Sequence, residues 1–141
     1  MIRRNLSWAP LAVLLVVIAG CDGSNRAAVT GEVTLDGEPV DGGTISFTPS
    51  GGAADAAAWG EIKGGRYSIP AAKGPGVGTA RVEIRWDRKT GKKIAAVPPA
   101  PPDTMIEETE EAVPARYNTQ SELTADVQAG QNTFNFELKS E

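Results

Sequence analysis

The chemistry open to this chain is bounded first by a missing residue type: it contains no histidine. That removes Ser-His-Asp and Cys-His nucleophile pairs and most zinc and copper sites, which depend on imidazole. Its one cysteine, Cys21, has no partner for an intramolecular disulfide. A lone thiol in an exported chain calls for a reason. Carboxylates are the other reactive groups. Asp103, Glu107, Glu108, Glu110 and Glu111 form one run, and Asp36, Glu38 and Asp41 lie beside glycines. Calcium takes about six to eight oxygens in a defined loop spacing, and neither run has that spacing. The first therefore reads as solvated and the second as turn-forming. No two carboxylates stand out as the pair a glycosidase needs. Lys73-Gly74-Pro75-Gly76-Val77-Gly78 is glycine-rich but precedes a strand pattern, so it lacks the helix that a phosphate loop requires. Among the aromatic residues, Tyr67 and Trp86 fall at inward positions. Trp59 lies opposite the Ala58 and Ile62 face, which makes it the candidate for contact with a sugar or a peptide. The expectation is a chain with no catalytic residues, no metal and no cofactor.

Cys21 acquires meaning from what precedes it. Arg3 and Arg4 form a positive start, and Ala9 to Ala19 is an apolar run broken only by Pro10. That run is well short of the roughly 20 residues of a membrane-spanning helix, and it has the layout of a signal peptide. Ile18-Ala19-Gly20-Cys21 resembles the bacterial lipobox. The resemblance implies cleavage after Gly20 and a diacylglyceryl group on the Cys21 thiol, with palmitate-type acyl chains holding the new N-terminus to a membrane. Each buried CH₂ adds about 0.8 kcal/mol, so two or more chains anchor stably. Residues 1–20 are then a signal peptide, 21–27 a lipidated tether and 28–141 a folded domain.

Removal of residues 1–20 takes away Arg3 and Arg4, so the 14 Lys and Arg fall to 12 against 18 Asp and Glu, a balance of −6. An acidic chain is a poor ligand for nucleic acid, whose binding depends on neutralising phosphates. The remaining 121 residues are enough to bury about two-thirds of the unfolded surface.

The elements that would position any site are strands. Val29, Gly31, Val33 and Leu35 alternate with polar residues, as do Ile45 and Phe47, and then Ala80, Val82, Ile84 and Trp86. A period of two marks a strand with one buried face. Ala58 to Ile62 and Tyr67 to Ile69 flank Gly64-Gly65, which signals a hairpin. Leu123, Ala125 and Val127, then Phe134, Phe136 and Leu138, close the chain. The pattern predicts seven strands and an all-β, antiparallel Greek-key sandwich, with Phe47, Trp86, Phe134 and Phe136 as its large core members. Residues 87–113 read as a long loop. Lys89, Lys92 and Lys93 open it, Pro98-Pro99-Ala100-Pro101-Pro102 favours polyproline II, and Thr104 to Glu111 has weak helical character.

Three stretches carry a family resemblance. Val29-Thr30-Gly31-Glu32-Val33-Thr34-Leu35-Asp36-Gly37-Glu38-Pro39-Val40 leads into Gly43-Thr44-Ile45-Ser46-Phe47-Thr48-Pro49. Gly65-Arg66-Tyr67-Ser68-Ile69 and Gly78-Thr79-Ala80-Arg81-Val82-Glu83-Ile84 follow. Together they resemble the carboxypeptidase regulatory-like domains, which implies a transthyretin-like (prealbumin-like) sandwich. The chain is also similar to a group of small bacterial lipoproteins with a segment like Pro114-Ala115-Arg116-Tyr117-Asn118 before the last strands. Related sandwiches include the hydroxyisourate hydrolases and intradiol dioxygenases, but these rely on histidines that this chain lacks. The resemblance implies structural support, spacing or ligand contact, not catalysis. The combined expectation is a non-enzymatic lipoprotein of the cell envelope, facing the periplasm or the exterior and touching another envelope protein. A carbohydrate-binding module using Trp59 is the alternative.

Overall fold

The computed structural model describes residues 25–51 and 57–141. Cys21 and residues 1–20, expected to be a signal peptide, lie outside the described residues. The protein is all-β, with no α-helix among the described residues. Strand β1 (Ala28–Leu35) is the middle of a five-stranded sheet. On one side it pairs antiparallel with β2 (Glu38–Pro39) and β5 (Arg66–Ile69). On the other it pairs parallel with β10 (Gln131–Thr133) and β11 (Phe136–Leu138). The second sheet runs β4 (Ala58–Ile62), β3 (Gly43–Pro49), β6 (Gly78–Arg85), β9 (Thr124–Val127), with every pair antiparallel. A third, two-stranded sheet joins β7 (Asp87–Ala95) to β8 (Met105–Glu111).

The alternation read in the sequence is the cause of this arrangement. Val29, Val33, Ile45, Phe47, Ile62, Ile69, Val82, Ile84 and Val127 turn inward from both large sheets and form one apolar cluster. Each such side chain contributes about 1.5–3 kcal/mol on leaving water. The Phe47 ring spans the two sheets, 6.1 Å from Tyr67 and 6.3 Å from Phe134, both tilted. Trp86 is buried, and its Nε1–H donates to the Asp41 carbonyl at 2.7 Å. Phe134 and Phe136 are only partly buried and pack on the rim of the cluster.

Several expectations need correction. The sheets are not wholly antiparallel, because the first and last strands enter from the same end and pair in parallel. The last strand is also interrupted at Phe134–Asn135, where the Asn135 side chain accepts the Glu32 N–H at 2.9 Å. Gly31 permits this break, since a Cβ there would sit 1.8 Å from the Phe134 oxygen.

The Gly64-Gly65 hairpin forms its turn, with positive φ at both glycines, and one bridging pair, Lys63 with Arg66. Its strands then part into different sheets, β4 onto β3 and β5 onto β1. Gly65 donates to the Val40 carbonyl at 2.8 Å and accepts from Val33 at 2.7 Å, so the turn serves as a tie to β1 and its neighbour rather than as a ladder end.

The tether does not extend to residue 27. Ala27 is fully buried and donates to the Pro75 carbonyl at 3.0 Å, and Arg26 donates to the Gly74 carbonyl at 2.7 Å. The close approach needs Gly74, whose Cβ would lie 1.7 Å from the Ala27 oxygen.

Residues 87–113 are not a loop and contain no helix: they form the β7–β8 ribbon, whose tip makes two tight turns in place of polyproline II. Opposite charges zip it. Lys89 meets Glu107 at 2.5 Å, Arg88 meets Glu110 at 3.6 Å, and Thr90 donates to Glu108 at 2.8 Å. Gly91, at φ 82°, absorbs the register shift.

Candidate functional site

Strand β4 is an edge strand, bonded only to β3 within its sheet. Its alternation sends Ala58 and Ile62 inward and Trp59 and Glu61 outward. Trp59 pairs in register with Ser46, which pairs in turn with Glu83. The indole therefore stands at the border of a polar sheet face, and it is 71% exposed. Gly60 points inward, where a Cβ would come within 2.8 Å of Ile69 Cγ1. A glycine there lets β4 lie close over β5 although the two belong to different sheets.

Between these two edges runs an open groove of about 690 Å³. Trp59, Ala57 and Ala58 form one wall, and Ile69 and Pro70 form the other. Lys63 and Lys73 add positive charge, and Lys63 is paired with Glu61 at 3.0 Å. The outer edge of β4 also offers backbone groups to an added strand, the usual hazard and use of an open edge. Ser68 and Glu61 also line it; Glu61 is taken up by Lys63, and among the described residues no hydrogen bond joins the Ser68 hydroxyl to a carboxylate or an amine. The arrangement can stack a ring or accept an apolar segment.

The other candidate residues are placed as follows. Among the described residues, no three Asp or Glu side chains converge as metal ligands would. The carboxylates of β8 are engaged across the ribbon, and Glu111 accepts the backbone N–H groups of Trp86 at 2.9 Å and Val113 at 3.0 Å. Asp41 is a turn residue, accepting from the Gly64 N–H at 2.8 Å. Asp36 accepts from the Ser140 N–H at 3.0 Å, and hydrogen bonding to the Ser140 side chain and backbone holds its carboxyl below the usual value. Arg116 and Tyr117 act as a structural anchor. Arg116 donates to the Lys139 carbonyl at 2.5 Å, and the Tyr117 hydroxyl accepts from the Lys139 N–H at 3.2 Å. The Arg116 guanidinium lies 5.0 Å from the tyrosine ring centroid and, with Lys139, lowers the phenol pKa.

One feature escaped the sequence pattern: Ile94, Val97, Met105 and Ile106 are all exposed toward the ribbon tip. The available signal was the uncharged run from Ile94 to Pro102. Comparison with protein-family models, with curated proteins and with solved structures found no match to this chain.

Proposed function

We propose that the protein is a lipid-anchored, non-enzymatic accessory domain of the bacterial cell envelope. It would stand on a membrane through Cys21, face the periplasm or the exterior, and contact another envelope component. The observation that carries this reading is the segment Ile18-Ala19-Gly20-Cys21 behind a short apolar run, in a chain with no other cysteine and no histidine. The domain starts immediately behind it, since Ala27 is already packed. At most about 20 Å of extended chain then separates Cys21 from the fold, so the N-terminal end of β1 would sit near the bilayer. Two sheets sharing one apolar cluster support the transthyretin-like, seven-stranded sandwich as the finer description of the domain. In that reading β2 and the β7–β8 ribbon are additions, and β10 and β11 count as one broken strand. The test is membrane retention. The chain stays with membranes through a high-salt wash and leaves with detergent; release by salt alone contradicts the anchor.

A second reading is favoured by one observation, the exposed Trp59 beside its groove. An indole face at a polar sheet border suits stacking on a sugar ring. A glycan array probed with wild type and Trp59→Ala decides it: binding lost in the variant supports a carbohydrate site, and no wild-type binding removes it.

A further inference from the structure

The β7–β8 ribbon is an arm. Nearly all its residues are exposed, and its strands pair extensively only with each other. Six large apolar side chains are exposed among the described residues, and four of them, Ile94, Val97, Met105 and Ile106, lie toward the arm's tip. Ile94 and Ile106 are directly paired, and Val97, 78% exposed, begins the proline-rich turns beyond them. A fifth is Trp59, in the groove between β4 and β5. The two apolar sites are of different shape. One is a protruding knob of Val97 and prolines. The other is an open cleft walled by an indole, two alanines and Pro70.

We propose that the arm tip of one copy of this chain docks in the Trp59 groove of a second copy, head to tail. The charges fit as well as the shapes. Asp103 sits on the tip and Lys73 lines the groove, and neither makes an ion pair among the described residues. Knob and cleft are different patches, so the contact is heterologous: it builds an open row, or a closed ring where the rotation between neighbours closes. The arm leaves β6 at Arg85, whereas residue 25 is bonded to Val77 at the opposite end of that strand. The inference names the partner in the contact role proposed above, but it needs no lipid, so the two readings fail separately.

The experiment is sedimentation velocity on the purified full chain in non-ionic detergent, from micromolar to near-millimolar concentration, for wild type, Trp59→Ala and Val97→Asp. Wild type should grow in mass with concentration, to one fixed size for a ring and without limit for an open row. Each variant alone should remain monomeric, with self-affinity reduced at least about tenfold. An equimolar mixture of the two variants should form a heterodimer and nothing larger, because it contains one intact groove and one intact tip. Both substitutions are at exposed positions, and circular dichroism melts matching wild type verify folding. Cys21→Ala should associate as wild type does. The proposal is overturned if wild type stays monomeric throughout, if either variant associates normally, or if the mixture does not pair. It is also overturned if the tip instead binds phosphatidylcholine vesicles in a Val97-dependent way while the chain stays monomeric.

Discussion

Tyr67→Phe removes one atom from the middle of the fold, and its cost follows from the geometry. Tyr67 is 3% exposed, and its hydroxyl donates to the Phe134 carbonyl at 2.7 Å. That carbonyl lies at the break between β10 and β11, where no strand partner can replace the donor, and Gly31 faces it closely. The variant leaves a partly buried acceptor unpaired, which costs about 1–3 kcal/mol. For a domain of this size the melting temperature should fall by roughly 4 °C per kcal/mol. The same bond has a signature in pH. Burial raises the Tyr67 pKa well above its ordinary value of 10.0. The folded chain therefore keeps a proton that the unfolded chain releases above about pH 10. Stability from this group is complete below that pH and is lost as pH rises through it, by up to about 1.4 kcal/mol per unit. Phenylalanine cannot titrate, so the gap between wild type and variant should narrow between pH 9 and 11. Urea unfolding at pH 7, 9, 10 and 11 measures both effects. Equal stability of the two proteins at pH 7, or a gap that stays constant to pH 11, would refute the argument.

Three further outcomes are expected. Gly31→Ala, whose Cβ would meet a backbone oxygen at 1.8 Å, should destabilise more than Gly60→Ala, whose Cβ meets the Ile69 side chain at 2.8 Å. Overpacking of the second kind costs about 1–3 kcal/mol, and thermal melts of the two variants order them. Replacing residues 88–110 by a short glycine-serine link should leave the melting midpoint within a few degrees, since the arm adds nothing to the apolar cluster; a large drop would show that it supports the core. Trp86→Phe should cost about 1 kcal/mol by losing the bond to the Asp41 carbonyl at 2.7 Å, which denaturant titration reads directly.

What was legible in the sequence was whatever had one wet face and one dry face. The strands through Val33, Phe47, Val82 and Val127 announce themselves by period two because each has a core side. The exposure of Trp59 followed from the same parity. The β7–β8 ribbon left no such trace. Both its faces are wet, so its pairing depends on cross-strand charges and on a bulge at Gly91, and neither is periodic. The parallel pairing of β1 with the final strand was hidden for a different reason. Register between segments about 100 residues apart is set by how the whole core closes, not by local pattern. The splitting of the Gly64-Gly65 hairpin is similar: its glycines specify a turn, but the destination of each strand is fixed by Ile62 and Ile69 burying from opposite sheets. The groove beside Trp59 exists because of that split, so it could not be drawn from the sequence alone.

The lipid anchor on Cys21 is the central claim, and intact mass together with detergent phase partitioning of the protein from membranes tests it most directly. The account predicts that wild type begins at residue 21, carries acyl mass and enters the detergent phase, while Cys21→Ala does neither of the last two. Wild type that is unmodified and remains in the aqueous phase would contradict it.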